Sequence, residues 1–247
     1  MFANTGFFKL ARRARWIQVL VIRSIAWVHP TIYHNVEKIL AFKKAFFWVD
    51  LDNTEGDYVE IGMFEGNSFI GALESHLISK QPGTPDRVFW GFDSFEGLKY
   101  FSARDKHPFW KQGQLKVNYE VTRKRVEKYF RNRAEWHITR GYVEETIGGK
   151  SALEFGIKRI AVAFIDCDLG EPTRVALDFM RPALQEGSII ILDDYFAYRG
   201  SLCQGEAGAF RDFREKYPEL VFRRMFDYGL GGRAYILANV LDPASSK

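Results

Sequence analysis

Six consecutive residues, Ile160-Ala161-Val162-Ala163-Phe164-Ile165, carry no polar side chain. A strand with one face in water alternates apolar and polar residues. This run instead fits a strand covered on both faces, as in a parallel sheet flanked by helices. Ser188 to Leu192 has the same character, and Gly187 before it ends the preceding connection. Further strand-like runs, Tyr58 to Ile61, Val88 to Phe92 and Trp136 to Thr139, alternate with helical patterns from Asp57 onward. Asn67 or Ser68 can cap a helix whose apolar face holds Phe69, Ile70, Leu73 and Leu77. Other helices are expected over about Glu120 to Tyr129, Pro172 to Leu184 and Glu206 to Lys216. Strands near Leu220 to Met225 and Ala234 to Val240 would form an antiparallel edge. The alternation predicts an α/β fold: a mostly parallel sheet with helices on both faces.

A chain of 247 residues, 47% hydrophobic and with 22 Phe, can fill one full-sized core, so one α/β domain is expected over residues 36–247. Residues 1–35 read as an N-terminal amphipathic helical segment. Its apolar run from Trp16 to Val28 is interrupted by Gln18, Arg23 and Ser24 and is too short to span a membrane. Packing on the domain or on a subunit partner is its expected role, and lying on an anionic membrane surface is the other. The net charge is +4, and the clearest basic cluster is Lys9, Arg12, Arg13 and Arg15. The remaining basic residues are spread out, which argues against nucleic acid as a partner. Cys167 and Cys203 are too few and too far apart for a disulfide framework or a zinc site, and point to a reducing, cytoplasmic setting. A homo-oligomer is the expected assembly.

In open α/β sheets, ligands bind beyond the carboxyl ends of the strands. Here those ends are repeatedly acidic: Glu60, then Asp93, then Asp166 and Asp168, then Asp193 with Asp194. The first lies in Glu60-Ile61-Gly62-Met63-Phe64-Glu65-Gly66-Asn67-Ser68, where Gly62 and Gly66 let backbone approach a ligand. The G-x-G-x-x-G spacing of a dinucleotide site is absent, so a ligand without phosphates fits better. Asp93 can accept hydrogen bonds from two ribose hydroxyls; a turn-forming Asp in Asp93-Ser94-Phe95-Glu96-Gly97 explains it equally well. Neighbouring parallel strands would gather Asp166, Asp168, Asp193 and Asp194. Carboxylates that close repel one another unless a cation intervenes, and a hard divalent ion such as Mg²⁺ suits oxygen ligands. Such an ion eases ionisation of an alcohol, which is otherwise a poor nucleophile.

These residues resemble a known family. Gly56-Asp57-Tyr58-Val59-Glu60-Ile61-Gly62, Gly66-x-Ser68 and Phe92-Asp93-Ser94-Phe95-Glu96-Gly97-Leu98 are similar to macrocin O-methyltransferase and its relatives. So are Gly141-Tyr142-Val143-Glu144-Glu145-Thr146, Ile165-Asp166-Cys167-Asp168-Leu169 and Ile191-Leu192-Asp193-Asp194-Tyr195, and the likeness runs from about Val36 to Leu237. The resemblance implies a Rossmann-like class I fold and methyl transfer from S-adenosylmethionine to a hydroxyl of a sugar, on a natural product or glycan, with Mg²⁺. It implies that Glu60, Gly62, Asp93 and Phe95 line the donor site. The matched segments add Ile61, Gly66, Ser68, Ser94, Gly141 and Tyr142. It implies Asp166, Asp193 and Asp194 as metal ligands, with Asp166 also catalytic. Asp168 is the candidate general base, and Glu144 or His107 are alternatives.

The chain departs from the family at Cys167, where glycine is usual, and at Gly170, where a bulkier residue is common. The stretch from Tyr100 to Val117 matches poorly; it lies in the loop or lid expected over Leu98 to Gln114. Two rival readings stand beside the first. Asp166-Cys167-Asp168 is also a D-x-D pattern, which in a glycosyltransferase holds Mn²⁺ and a sugar nucleotide. A non-catalytic binding protein of the same fold is the other.

Overall fold

The computed structural model describes residues 15–100 and 102–240. Helix α1 (Arg15–Ala26) leads into the long α2 (Pro30–Leu51), where Pro30 occupies a first-turn position that needs no N–H donor. The α/β units follow: β1 (Asp57–Ile61), α3 (Asn67–Ser79), β2 (Phe89–Asp93), α4 (Tyr119–Phe130), β3 (Trp136–Arg140) and α5 (Val143–Thr146). The second half contains β4 (Ile160–Ile165), α6 (Gly170–Met180), β5 (Leu184–Leu192), α7 (Gly205–Lys216), β6 (Leu220–Tyr228) and β7 (Gly232–Val240). One seven-stranded sheet results, in the order β3-β2-β1-β4-β5-β7-β6. The first five strands are parallel; β7 pairs antiparallel with both β5 and β6. The expected antiparallel edge is therefore present, with β7 as its inner strand.

The apolar run of β4 is fully buried, as its composition demands. Alternate residues serve opposite faces. Ala163 and Ile165, with Ile190 and Leu192 of β5, meet α6 and α7 residues such as Leu177 and Phe210. Val162 and Phe164, with Ile189 and Ile191, meet Phe42 and Phe46 of α2 and Phe69 of α3. Phe42 sets its ring edge-on to Phe164 at 5.0 Å. Fully burying a side chain of this size contributes about 1.5–3 kcal/mol.

Several boundaries differ from the sequence-based expectation. Helix α6 ends at Met180, not Leu184, because Pro182 has no N–H for a further helical turn; a single 3-10 turn follows. Leu184 already belongs to β5, so Gly187 lies inside the strand rather than ending the connection. Neither Asn67 nor Ser68 caps α3. Gly66 takes the cap position with φ 75°, and the Ser68 hydroxyl turns to Glu60. The boundary expected after residue 35 falls inside α2.

Helix α1 does not pack on the domain. Every residue from 16 to 33 is exposed, and the basic cluster at Lys9 to Arg13 lies outside the described residues. No described helix is long and apolar enough to cross a membrane.

Candidate active site

The carboxyl ends of β1, β2, β4 and β5 open into one cavity of about 910 Å³. Asp93, Asp166, Asp168, Asp193 and Asp194 all line it. So do Ile61, Gly62, Ser68, Ser94 and Tyr142 among the residues expected on the donor side, together with Glu144 and His107.

Glu60, Gly66, Phe95 and Gly141 do not line the cavity, though each neighbours a residue in sequence that does. Glu60 is fully buried and accepts hydrogen bonds from Tyr58 Oη (2.5 Å) and Ser68 Oγ (2.6 Å), tying β1 to the start of α3. Burial pushes its carboxyl up to about 8, against the pull of those two hydroxyls. The glycines of this turn answer to the chain itself. A Cβ on Gly62 would stand 1.9 Å from the carbonyl oxygen of Asp166, and φ is 91°. At Gly66 a Cβ would press on Val126 and Thr122 of α4 at 3.1 and 3.3 Å. Close approach is required, as expected, but the neighbour is protein backbone or side chain.

Asp93 accepts one backbone N–H on each carboxylate oxygen, from Phe64 (2.7 Å) and Phe95 (2.6 Å). These bonds hold the β1–α3 turn against the Asp93-Ser94-Phe95-Glu96-Gly97 turn and leave a lone pair on each oxygen. The turn reading and the ribose reading of Asp93 are thus compatible. Gly141 donates its N–H to the Asp93 carbonyl at 2.9 Å.

Oxygens of Asp166, Asp168 and Asp194 lie within 4.8 Å of one another. Asp193, the remaining expected metal ligand, lies outside this trio and is engaged by other side chains. Its carboxylate binds Tyr228 Oη (2.5 Å), His34 Nε2 (3.0 Å) and Lys38 Nζ (2.7 Å), and Lys38 also reaches Asp166 at 2.9 Å. Burial would raise the Asp193 carboxyl, but Lys38 and His34 outweigh it and hold the group well below the usual range. The same burial, with Asp193 as a close negative neighbour, lifts Asp166 to about 6 despite Lys38. Asp168 and Asp194 are pushed far above their ordinary value by burial and by the surrounding carboxylates. Three residues escape a sequence reading. His34 and Lys38 come from α2, far from any strand end. Glu206 of α7 is wholly buried beneath the cluster and accepts the backbone N–H of Cys167 (3.3 Å) and of Asp194 (2.9 Å). It braces the two acidic strand ends against each other.

Glu144, at the start of α5, has both carboxylate oxygens buried without a side-chain or backbone partner beyond its own residue, and burial lifts it to about 7. The lid closes over the other side. Asp105 in the lid caps α6 by accepting the N–H groups of Gly170 and Glu171, each at 3.2 Å. His107, Trp110 and Tyr198 form an aromatic group above it, with His107 at 4.2 and 4.7 Å from the other two rings.

The macrocin-O-methyltransferase (TylF) family profile matches residues 35–219. A curated relative, 8-demethyl-8-(2,3-dimethoxy-alpha-L-rhamnosyl)-tetracenomycin-C 4'-O-methyltransferase of Streptomyces olivaceus, is 31% identical over 176 residues. Demethyldecarbamoylnovobiocin O-methyltransferase of Streptomyces niveus is 26% identical over 175. Each alignment covers 67% of this chain, and the chain spans 64% and 61% of the two relatives' lengths. Among solved structures, the O-methyltransferase NovP superposes with a TM-score of 0.61 at 22% identity, over 81% of this chain and 79% of that one. The calicheamicin methyltransferase CalS11 gives 0.61 at 24%, over 80% and 77%. The shared fold is the Rossmann-like class I architecture.

Proposed function

Because this chain belongs to the macrocin O-methyltransferase family, we propose that it moves a methyl group from S-adenosylmethionine to a hydroxyl of a sugar carried by a natural product, with the help of a divalent cation. The observation that carries this reading is the joint placement of Asp93 and the Asp166/Asp168/Asp194 cluster in one cavity. The names of the two curated relatives support a glycosylated natural product as acceptor.

The residues present fit both groups. On the donor side, Asp93 keeps an acceptor lone pair on each oxygen for the ribose hydroxyls, and Ile61, Gly62 and Tyr142 supply the walls. The unpartnered oxygens of Glu144 suit an N–H or O–H donor of a bound molecule. On the acidic side, five carboxyl groups (Asp166, Asp168, Asp193, Asp194 and Glu206) meet two cationic side chains among the described residues, Lys38 and His34, and four of the five are shifted upward. That is the signature of missing positive charge. Asp166 and Asp194 would hold a hard divalent ion, and Asp193 fixes α2 to the end of β5.

When bound, S-adenosylmethionine supplies the activated methyl group and the cation supplies charge that eases ionisation of the hydroxyl. The chain supplies position and proton acceptance. With a cation offsetting the neighbouring carboxylates, Asp168 would be ionised and would take the hydroxyl proton. The lid anchored by Asp105 excludes water from the reacting atoms, and His107 and Trp110, both on the cavity wall, give a sugar ring an aromatic surface.

Isothermal titration tests this directly. S-adenosylmethionine is expected to bind the wild type at micromolar concentration and to lose that binding in Asp93→Ala. Mg²⁺ is expected to bind the wild type and not Asp194→Asn. Absence of donor binding under every condition overturns the reading and points instead to a sugar nucleotide on the D-x-D segment.

A further inference from the structure

Helix α1 and the outer face of α2 form a limb that no other described element covers. Trp16, Ile22, Ile25 and Trp27 are all exposed, Trp27 to 89%. The apolar residues of α1 point in most directions around the helix, a composition that in water normally belongs inside a core. Helix α2 has two apolar faces. Phe42, Phe46 and Val49 pack on the sheet. Ile32, Val36, Leu40, Phe47 and Leu51 recur at helical spacing on the other side and are each at least 45% exposed. Monomeric proteins rarely leave apolar surface of this extent open.

Charge decides what can cover it. Residues 1–49 contain eight Lys and Arg and one acidic residue, Glu37, a balance of +7; of the eight, Lys38 pairs with Asp166 and Asp193, and Lys9, Arg12 and Arg13 lie outside the described residues. The whole chain is only +4, so residues 50–247 are net −3. Arg23 and Lys43, which flank the apolar surface, have no acidic partner among the described residues. A second copy docked isologously would set two such basic limbs against each other. Nucleic acid would use the charge but not the row of tryptophan and isoleucine. An anionic bilayer surface takes both: headgroups for the basic residues, the acyl boundary for the apolar ones, the interface for Trp16 and Trp27. At 12 residues α1 is about 18 Å long, against a hydrocarbon core of about 30 Å, so it would lie along the surface rather than cross it.

We propose that the α1–α2 limb docks this protein on an anionic lipid surface. The inner side of the same limb carries Thr31, His34, Asn35 and Lys38 into the cavity wall, so docking sets the cavity beside the bilayer.

Vesicle sedimentation with the full chain tests it. Binding is expected to vesicles containing phosphatidylglycerol, not to phosphatidylcholine alone, and to weaken as salt rises. The double change Arg23→Glu with Lys43→Glu should weaken partition about 25-fold or more, if each basic residue is worth about fivefold. Ile22→Ser with Trp27→Ser should abolish it. These side chains are exposed, so circular dichroism melts should match the wild type and exclude misfolding. Three outcomes overturn the proposal: no binding to phosphatidylglycerol vesicles at low salt, equal binding to both vesicle types, or a lipid-free dimer that Ile22→Ser with Trp27→Ser dissociates.

Discussion

Glu60 shows how a residue legible in the sequence can work differently in the fold. It sits where the family places a donor-site acid, yet the folded chain buries it and lifts its carboxyl from 4.5 to about 8. Between those two values the native state keeps a proton that the unfolded chain releases. Stability should therefore fall as pH rises through that window, by at most about 1.4 kcal/mol per pH unit from this group. Below the window both states are protonated and Glu60 makes no difference; above it the full cost is present. Glu60→Gln keeps one acceptor and one donor for Tyr58 and Ser68 and should remove this part of the slope. Urea midpoints at pH 5 and pH 8 check it, and an identical pH difference in both proteins would refute it. At this scale the acids at strand ends were readable because a strand end is a place a sequence pattern can find. Lys38, His34 and Glu206 were not, because they sit within helical patterns whose spacing does not reveal which turn abuts the acidic loops. Asp193 and Asp194 are adjacent in sequence and alike in type. Only the packing of Tyr228 and α2 separates their roles.

At the scale of elements, the β1–α3 turn distinguishes two glycines that a motif treats alike. In Gly62→Ala the new methyl would need the space of the Asp166 carbonyl, a backbone atom just beyond the end of β4, whose own residue donates its N–H to Ile61. Overpacking and left-handed strain together should cost about 3 kcal/mol or more. Gly66→Ala meets only two side-chain methyl groups, and the expected loss is about 1–2 kcal/mol, mainly from its positive φ. Denaturant midpoints for the two variants should differ in that order, and a Gly66→Ala loss as large as that of Gly62→Ala would refute the assignment. The strands β4 and β5 were legible because continuous apolar runs have few other solutions, and β1 to β3 because short strand-like runs alternate with helical patterns. The end of α6 was less so, since the apolar pattern continues past Met180 and only Pro182 stops it. The surface that receives α1 was not legible. Its apolar content suggested packing on the domain or on a subunit partner, with an anionic membrane as the other reading, and a helix pattern does not choose among them.

At the scale of the molecule, the cavity gathers residues 31–38, 61–68, 92–99, 142–144, 166–172 and 193–197. Asp93 and the acidic cluster are more than 70 residues apart in the chain, and β1 must pair with β4 across a separation of about a hundred residues. Pairings of that kind form late. Donor binding during refolding from urea should therefore appear with the slowest tryptophan-fluorescence phase, and binding that precedes it would refute this ordering. The same separation has a consequence for synthesis. Phe42 and Phe46 of α2 leave the ribosome early, while Phe164, which covers Phe42, is encoded 122 residues later. At about 5–20 residues per second that is a wait of roughly 6–24 s. Throughout it the nascent chain presents the inner face of α2, as well as its outer one, to whatever else is in the cell.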